Sequence, residues 1–162
     1  MQFFLEVKTE LILEKYTLVM KPLSKELHIP LKALEILMFL ANNPEHASAK
    51  EICDSLHMKS GIVSVHIDRL VEDGYLTRET SHADRRLISL RVTSKATPIK
   101  LKGQALQKQF LSDAFAGMSE EELAAFHQSI EKIVDNLQGM KGWAYEWSEN
   151  IFRYRADWQT LT

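Results

Sequence analysis

The hydrophobic period of the chain changes at Gly74, and this change limits the folds that the chain can adopt. Before Gly74, Ser48 and Glu51 have the spacing of a capping box, which predicts the start of a short helix. Ser60 is a candidate N-cap for a second helix, which Gly74 ends as a typical C-terminal glycine. The apolar residues of this second helix recur on one face: Val63, Ile67, Leu70 and Val71. Two short helices joined by a tight connection predict a helix-turn-helix.

After Gly74 the hydrophobic period becomes two, which is typical of half-buried strands. Residues 75–80 are a predicted strand, residues 81–84 a polar turn, and residues 87–92 the returning strand. Apolar residues at helical spacing occupy most of the remaining chain, and Pro22 is expected to kink or end the first of these helices. The predicted fold is therefore mainly α with α+β character: a winged helix-turn-helix with a two-stranded wing, flanked by N- and C-terminal helices.

The basic residues are concentrated in one stretch of the chain. The formal net charge is −2, which taken alone argues against a nucleic-acid partner. Residues 81–110, however, hold seven Lys or Arg side chains and one acidic residue, whereas the segments on both sides are acidic. This stretch begins at the predicted wing and continues through Lys95, Lys100, Lys102 and Lys108. Such a concentration is the usual electrostatic footprint of nucleic-acid binding.

The second helix of the helix-turn-helix and the wing supply the candidate DNA-binding side chains. Small and hydroxyl-bearing residues on the exposed face of that helix allow it to enter a major groove about 12 Å wide. The arginines of the wing are long enough to reach phosphates or the minor groove. The candidate DNA-binding residues are Lys59, Ser60, Gly61, Ser64, Val65, Arg85 and Arg91.

The parity of the returning strand distinguishes Arg86 from the other arginines of the wing. Arg86 shares its parity with Ile88, Leu90 and Val92, so its stem is expected to point toward the protein. An inward arginine needs a carboxylate partner. Asp68, on the neighbouring helix, is the candidate. The hypothesis is that Asp68 and Arg86 form an ion pair that orients the wing.

Several of these motifs together resemble the MarR family of bacterial winged-helix regulators. The residues that carry the resemblance are Glu51–Met58, Ser60–Leu70, Glu72–Leu76, Asp84-Arg85-Arg86 and Val92-Thr93. The similarity extends over about residues 10–138, and the aspartate–arginine–arginine wing is more specific than the helix-turn-helix alone. His57 stands where the family usually has a glycine, and the aromatic tail beyond Gly142 is longer than is typical.

The resemblance implies a function and an assembly. It implies an obligate homodimer whose terminal helices form the interface, and recognition of pseudo-palindromic double-stranded DNA by paired helices and wings. It usually implies repression of transcription, relieved by a small phenolic or other amphipathic ligand, an oxidant or a metal. The expected domains are an N-terminal dimerisation helix (1–30), the DNA-binding domain (31–95), C-terminal dimerisation helices (96–142) and an aromatic helical extension (143–162).

The extension beyond Gly142 places large aromatic side chains on one helical face. These are Trp143, Trp147, Tyr154 and Trp158. An exposed stripe of this kind would promote aggregation, so burial against the partner subunit is favoured. A pocket for a small aromatic or amphipathic effector is the alternative role of the same stripe.

Other sites and functions receive less support from the residues. Cys53 lies between Ile52 and Leu56, where a small core residue fits, and Asp54 is expected to raise its pKa, so a structural role is favoured over oxidant sensing. The histidines form no closely spaced pair, so no metal site is predicted, and no cofactor is expected.

Three classes of function are weighed against this background. No Ser/His/Asp order and no phosphate-binding glycine loop supports an enzyme. A single cysteine and the lack of a long apolar run predict a cytoplasmic protein with no membrane partner. The main hypothesis is a dimeric transcriptional repressor that binds DNA. The alternative is a winged-helix module that binds another protein and not DNA.

Overall fold

The computed structural model describes residues 2–45, 48–80 and 88–138. These ranges contain six α-helices and a two-stranded antiparallel sheet. The elements are α1 (Gln2–Glu26), α2 (Leu31–Asn42), α3 (Ala49–Leu56), α4 (Ser60–Glu72), β1 (Leu76–Thr80), β2 (Ile88–Val92), α5 (Thr97–Ala114) and α6 (Glu120–Gln138), with a 3₁₀ turn over Ser94–Ala96. The predicted fold class, a mainly helical winged helix-turn-helix with a two-stranded wing, is confirmed.

Helix α2 forms the centre of the hydrophobic core. Every residue from Ala33 to Ala41 except Glu35 is buried. Helix α2 contacts α1, α3, α4, α5 and β2, so its neighbours cover nearly the whole circumference. A helix that is apolar on all sides is expected in such a central position.

Helix α1 continues through Pro22 to Glu26, so the proline does not end the helix, which was one of the two predicted outcomes. Pro22 is exposed, whereas Met20 and Leu23 beside it are buried in the core. The free energy gained by burial of these two side chains offsets the cost of the backbone hydrogen bond that proline cannot form. The helix ends just before His28, whose backbone is left-handed with a φ of 54°.

The N-terminus of α3 has the predicted capping box. The backbone N–H of Glu51 donates to Ser48 Oγ at 3.2 Å, and the N–H of Ser48 donates to the Glu51 carboxylate at 2.9 Å. The predicted cap of α4 is wrong, because Lys59 is the N-cap residue and Ser60 is the first residue of the helix. The N-cap of α4 thus accepts no hydrogen bond through its side chain.

Gly74 terminates α4 as predicted. Its φ of +74° is unfavourable for residues that carry a Cβ. The N–H of Gly74 donates to the Val71 carbonyl at 2.9 Å, and the N–H of Tyr75 donates to the Leu70 carbonyl at 2.8 Å. This pair of hydrogen bonds is a Schellman motif, and it directs the chain from α4 into β1.

Even-numbered residues of the hairpin face the protein. Leu76 pairs with Val92, and Arg78 pairs with Leu90. Leu76 and Leu90 are buried, which confirms the predicted parity near the base of the hairpin. Ile88 shares that parity but lies at the outer end of β2 and is 49% exposed.

Helices α1 and α6 expose large apolar side chains. The exposed residues are Leu11, Ile12, Leu13, Leu18, Phe126, Ile130, Ile133 and Leu137. Among the α6 residues whose burial the structure describes, only Val134 is buried. The amphipathic stripe of α6 therefore remains uncovered within the described part of one chain. No helix within these ranges is both long and apolar enough to span a membrane.

Candidate nucleic-acid interface

Helix α4 buries one face and exposes the opposite one. Val63, Ile67 and Leu70 are buried in the core, as the sequence predicted. Five of the seven predicted DNA-binding residues are exposed at the N-terminal half of α4: Lys59, Ser60, Gly61, Ser64 and Val65. A helix that presents mainly small side chains at its N-terminal half has the shape required to enter a major groove.

The structure places Asp68 of α4 beside Arg78 of β1. Arg78 Nη2 forms an ion pair with Asp68 Oδ1. Arg78 lies opposite Leu90 on the inward face of the hairpin, so it has the orientation that the sequence analysis assigned to Arg86. Sequence reasoning missed Arg78, although its parity with the buried Leu76 was a signal that could have identified it.

Six of the predicted functional residues lie outside the described residues. They are Arg85, Arg86, Trp143, Trp147, Tyr154 and Trp158. The proposed ion pair between Asp68 and Arg86 and the role of the aromatic stripe therefore stay predictions. The described partner of Asp68 is Arg78.

Arg91 makes contacts within the protein at the base of the hairpin. Its Nε donates to Glu79 Oε2 at 3.3 Å, and its Nη1 donates to the carbonyl oxygen of Pro44 at 3.1 Å. The side chain is nevertheless 50% exposed. Arg91 thus links the hairpin to the connection between α2 and α3, and a DNA phosphate would compete with Glu79 for its guanidinium group.

Two lysines of the basic stretch stabilise the packing around α4 and α1. Lys95 Nζ donates to the Asp73 carbonyl at 2.7 Å and lies 5.1 Å from the centroid of the Tyr75 ring. A positive charge in this position complements the C-terminal dipole of α4. Lys102 forms an ion pair with Glu26 at the end of α1.

The connection between α3 and α4 contains a histidine with a left-handed backbone. His57 has a φ of 50° and a ψ of 39°, and its N–H donates to the Cys53 carbonyl. Glycine adopts this conformation without steric cost, whereas a Cβ disfavours it. The turn therefore has the backbone geometry that suits a glycine, although this chain has a histidine there.

The thiol of Cys53 is poorly suited to oxidant sensing. Burial raises the pKa of Cys53, and the nearby carboxylate of Asp54 raises it further. The unreactive thiol form therefore predominates at neutral pH, in agreement with the predicted structural role. In the described ranges, no group of three or more His, Cys, Asp or Glu side chains is arranged to hold a metal ion.

A cleft of about 380 Å³ lies between the end of α2, strand β2 and the start of α5. Its apolar part includes Leu40, Leu90 and Val92. Its polar part includes the cationic side chains of Arg91 and Lys100, together with the hydroxyl-bearing Thr93, Ser94 and Thr97. A concave site of this composition is suited to a small amphipathic molecule with an anionic group.

The sequence profile of the MarR family matches residues 29–87. This segment begins just before α2 and extends through the helix-turn-helix to the wing. This segment of the chain is similar to the MarR family, and the described residues have the winged helix-turn-helix fold. The HTH-type transcriptional repressor IacR of Pseudomonas putida is 23% identical to this protein over 124 residues, which are 76% of this chain and 74% of the relative.

Solved structures of MarR-family proteins have the same fold as this chain. A MarR transcriptional regulator from Methanosarcina mazei Go1 has a TM-score of 0.69 at 19% identity, with 85% of this chain and 99% of that chain covered. A MarR-family regulator from Listeria monocytogenes, solved in complex with a 26mer DNA, has a TM-score of 0.68 at 15% identity. That match covers 85% of this chain and 88% of the Listeria chain.

Proposed function

We propose that this protein is a MarR-family regulator, a homodimer that binds a pseudo-palindromic site in double-stranded DNA and represses transcription until a small ligand releases it. The observation that carries the proposal is the exposed N-terminal half of α4 beside the hairpin, since these two elements together form a surface that fits a groove and its phosphates. The repressor IacR and the DNA-bound Listeria regulator support the same function by similarity.

Each part of this surface has a distinct task in the proposed complex. The hydroxyls of Ser60 and Ser64 contact base edges or phosphates from the major groove. Lys59, which is exposed at the N-cap of α4, contacts a phosphate. Arg85 in the wing supplies a further phosphate or minor-groove contact. Arg91 exchanges Glu79 for a phosphate, which retains a charge-assisted hydrogen bond.

Homodimer formation is proposed from the uncovered apolar surfaces of α1 and α6. Phe126, Ile130, Ile133 and Leu137 follow one another at steps of four, three and four residues, so they lie on one face of α6. Each is at least 39% exposed. A contiguous apolar face of this length marks an interaction surface. A second copy of the chain that packs on this face forms a dimer with two-fold symmetry.

The dimer provides the geometry for recognition of a palindromic site. Two copies of α4 related by a two-fold axis enter successive major grooves when their centres are about 34 Å apart. In this arrangement α1, α5 and α6 form the dimerisation region, and the segment from α2 to β2 forms the DNA-binding domain. The spacing of the two recognition helices then selects the spacing of the half-sites.

Release by a ligand is proposed to occur at the cleft between α2, β2 and α5. Arg91 belongs both to this cleft and to the hairpin, and it holds the hairpin to the Pro44 carbonyl. A small amphipathic or aromatic anion that binds Arg91 and Lys100 competes with this contact. Such a ligand lowers DNA affinity to the extent that it binds the released arrangement more tightly than the DNA-bound one.

Selection of bound duplexes from random double-stranded DNA tests the proposal, followed by titration of the selected duplex with salt. We expect a palindromic consensus and an affinity that falls steeply with salt, because phosphate contacts release counterions. If no duplex is enriched, DNA binding is refuted and the protein-binding module becomes the better hypothesis. Enrichment of a single half-site without symmetry would contradict the proposed homodimer.

A further inference from the structure

Two of the exposed residues at the N-terminal half of α4 are aliphatic. Val65 is 65% exposed and Ile62 is 46% exposed. Gly61, one turn before Val65, has no other atom within 4 Å of the place where a Cβ would lie. The exposed N-terminal half of α4 therefore combines an open backbone at Gly61 with the aliphatic side chain of Val65.

Two charged side chains farther along α4, those of Asp68 and Arg69, are paired within the protein. Asp68 forms the ion pair with Arg78. Arg69 Nη2 donates to the His28 carbonyl at 3.3 Å, and Arg69 Nε lies 3.7 Å from Asp73 Oδ2. The residues from Ser60 to Val65 include no Arg, Lys, Asn or Gln. These are the side chains that form bidentate hydrogen bonds with guanine or adenine.

We propose that Val65 and Ile62 recognise thymines through apolar contact with their C5-methyl groups. The inference rests on the proposed DNA binding and specifies its chemistry. The thymine methyl is the apolar group that a base pair presents in the major groove, and aliphatic side chains contact it favourably. Serine hydroxyls accept or donate to any base and so discriminate weakly. Within residues 60–65 of α4, the two aliphatic residues are therefore the source of base preference.

The test replaces individual thymines of the selected duplex by deoxyuridine, which removes the methyl and retains the Watson–Crick pair. We expect the selected duplex to have thymine at defined positions of each half-site. Replacement of one of these thymines by deoxyuridine should raise the dissociation constant of the wild-type protein about fourfold, because one buried methyl group contributes about as much as one buried methylene. Replacement of thymines outside the half-sites leaves the affinity unchanged.

Variants of α4 connect this effect to named side chains. In Val65→Ala the penalty for deoxyuridine is expected to disappear at one thymine position, and in Ile62→Ala at another, because the partner of the methyl is then missing. Both side chains are exposed and alanine favours helix, so thermal unfolding should show that both variants are folded. Glu72→Ala is the matched control, since Glu72 lies on the exposed side of α4 near its C-terminal end. The deoxyuridine penalty should be unchanged in this control.

Two results would overturn the inference. One is full affinity for a duplex in which every half-site thymine is replaced by deoxyuridine. The other is an unchanged penalty in both Val65→Ala and Ile62→Ala. These results differ from failure of the proposed function, in which the wild-type protein enriches no duplex at all and both proposals are refuted.

Discussion

At the scale of single residues, two histidines hold backbone conformations that favour glycine. His28 ends α1 and His57 ends α3, with φ values of 54° and 50°. In the left-handed region a Cβ lies close to the following carbonyl oxygen, which costs about 1–2 kcal/mol per residue. His57 matters more for function because it lies in the turn that sets the direction of α4. The protein therefore carries local strain next to its candidate DNA-binding helix.

Replacement of His57 by glycine should relieve this strain. We expect His57→Gly to be more stable than His57→Ala by about 1 kcal/mol, because both variants lose the imidazole but only the alanine keeps the Cβ. Urea denaturation of the two variants measures the difference. Equal stabilities would show that the turn tolerates a Cβ without strain.

At the scale of elements, α4 and the hairpin are joined at several points. Thr93 Oγ1 donates to the Gly74 carbonyl at 2.7 Å, and its N–H donates to the Tyr75 carbonyl at 3.0 Å. Lys95 caps the C-terminus of α4, and Arg78 reaches back to Asp68. These contacts tie α4 to the hairpin, so that a shift of one displaces the other.

The ion pair between Asp68 and Arg78 should affect DNA binding through the orientation of the wing. We expect Asp68→Ala to weaken DNA binding although it removes a negative charge. A double-mutant cycle combines Asp68→Ala with Arg78→Ala and measures the free energy of DNA binding. The coupling energy between the two residues should be about 0.5–1 kcal/mol, which is the upper range for a partly exposed ion pair. A second cycle that combines Asp68→Ala with Arg86→Ala shows which of the two arginines pairs with Asp68.

A coupling of Asp68 to Arg86 with additive effects of Arg78 would support the predicted ion pair between Asp68 and Arg86. Tighter DNA binding of Asp68→Ala would reject an orienting role for either pair, because only the loss of electrostatic repulsion would then be observed.

At the scale of the whole molecule, a polar network joins the winged segment to the flanking helices. Asn42 of α2 bonds to Gln104 and Gln107 of α5, each at 3.0 Å, and Gln107 Nε2 donates to Tyr16 Oη of α1 at 2.7 Å. Close approach at Gly103, where a Cβ would lie 2.3 Å from Met38 Sδ, brings α5 directly onto α2. These contacts set the angle at which the winged segment meets α1 and α5.

The apolar face of α6 should control assembly. We expect Ile133→Lys to be a monomer where the wild-type protein forms the proposed dimer, because it places a charge in the proposed interface. Binding to the palindromic duplex should fall at least about a hundredfold, since the second half-site no longer adds avidity. Sedimentation equilibrium and fluorescence anisotropy measure the two effects.

Gln128→Lys is the matched control for this prediction. It adds the same charge on the opposite side of α6, at a position that is also exposed, so the protein should stay dimeric. If Ile133→Lys were dimeric with unchanged DNA affinity, the exposed stripe of α6 would not be the interface.

Much of the fold was predictable because the relevant interactions are local. The capping box at Ser48, the glycine at the end of α4 and the parity of Leu90 each depend on residues within a few positions of one another. The exposed candidates on α4 followed from its buried stripe in the same way. The cap of α4 was assigned one residue too late, because boundaries depend on backbone geometry more than on composition.

The sequence by itself determined where the helix-turn-helix and wing lie and which face of α4 is free, since both follow from short-range periodicity and capping. The tertiary structure decided that α1 continues through Pro22, that Arg78 pairs with Asp68, and that Arg91 contacts Glu79 and Pro44. The reason is that packing energy and ion pairing depend on distances between residues far apart in the chain. The charges of the side chains and the parity of the strands limit which residues can pair, but they do not specify the distances between those residues.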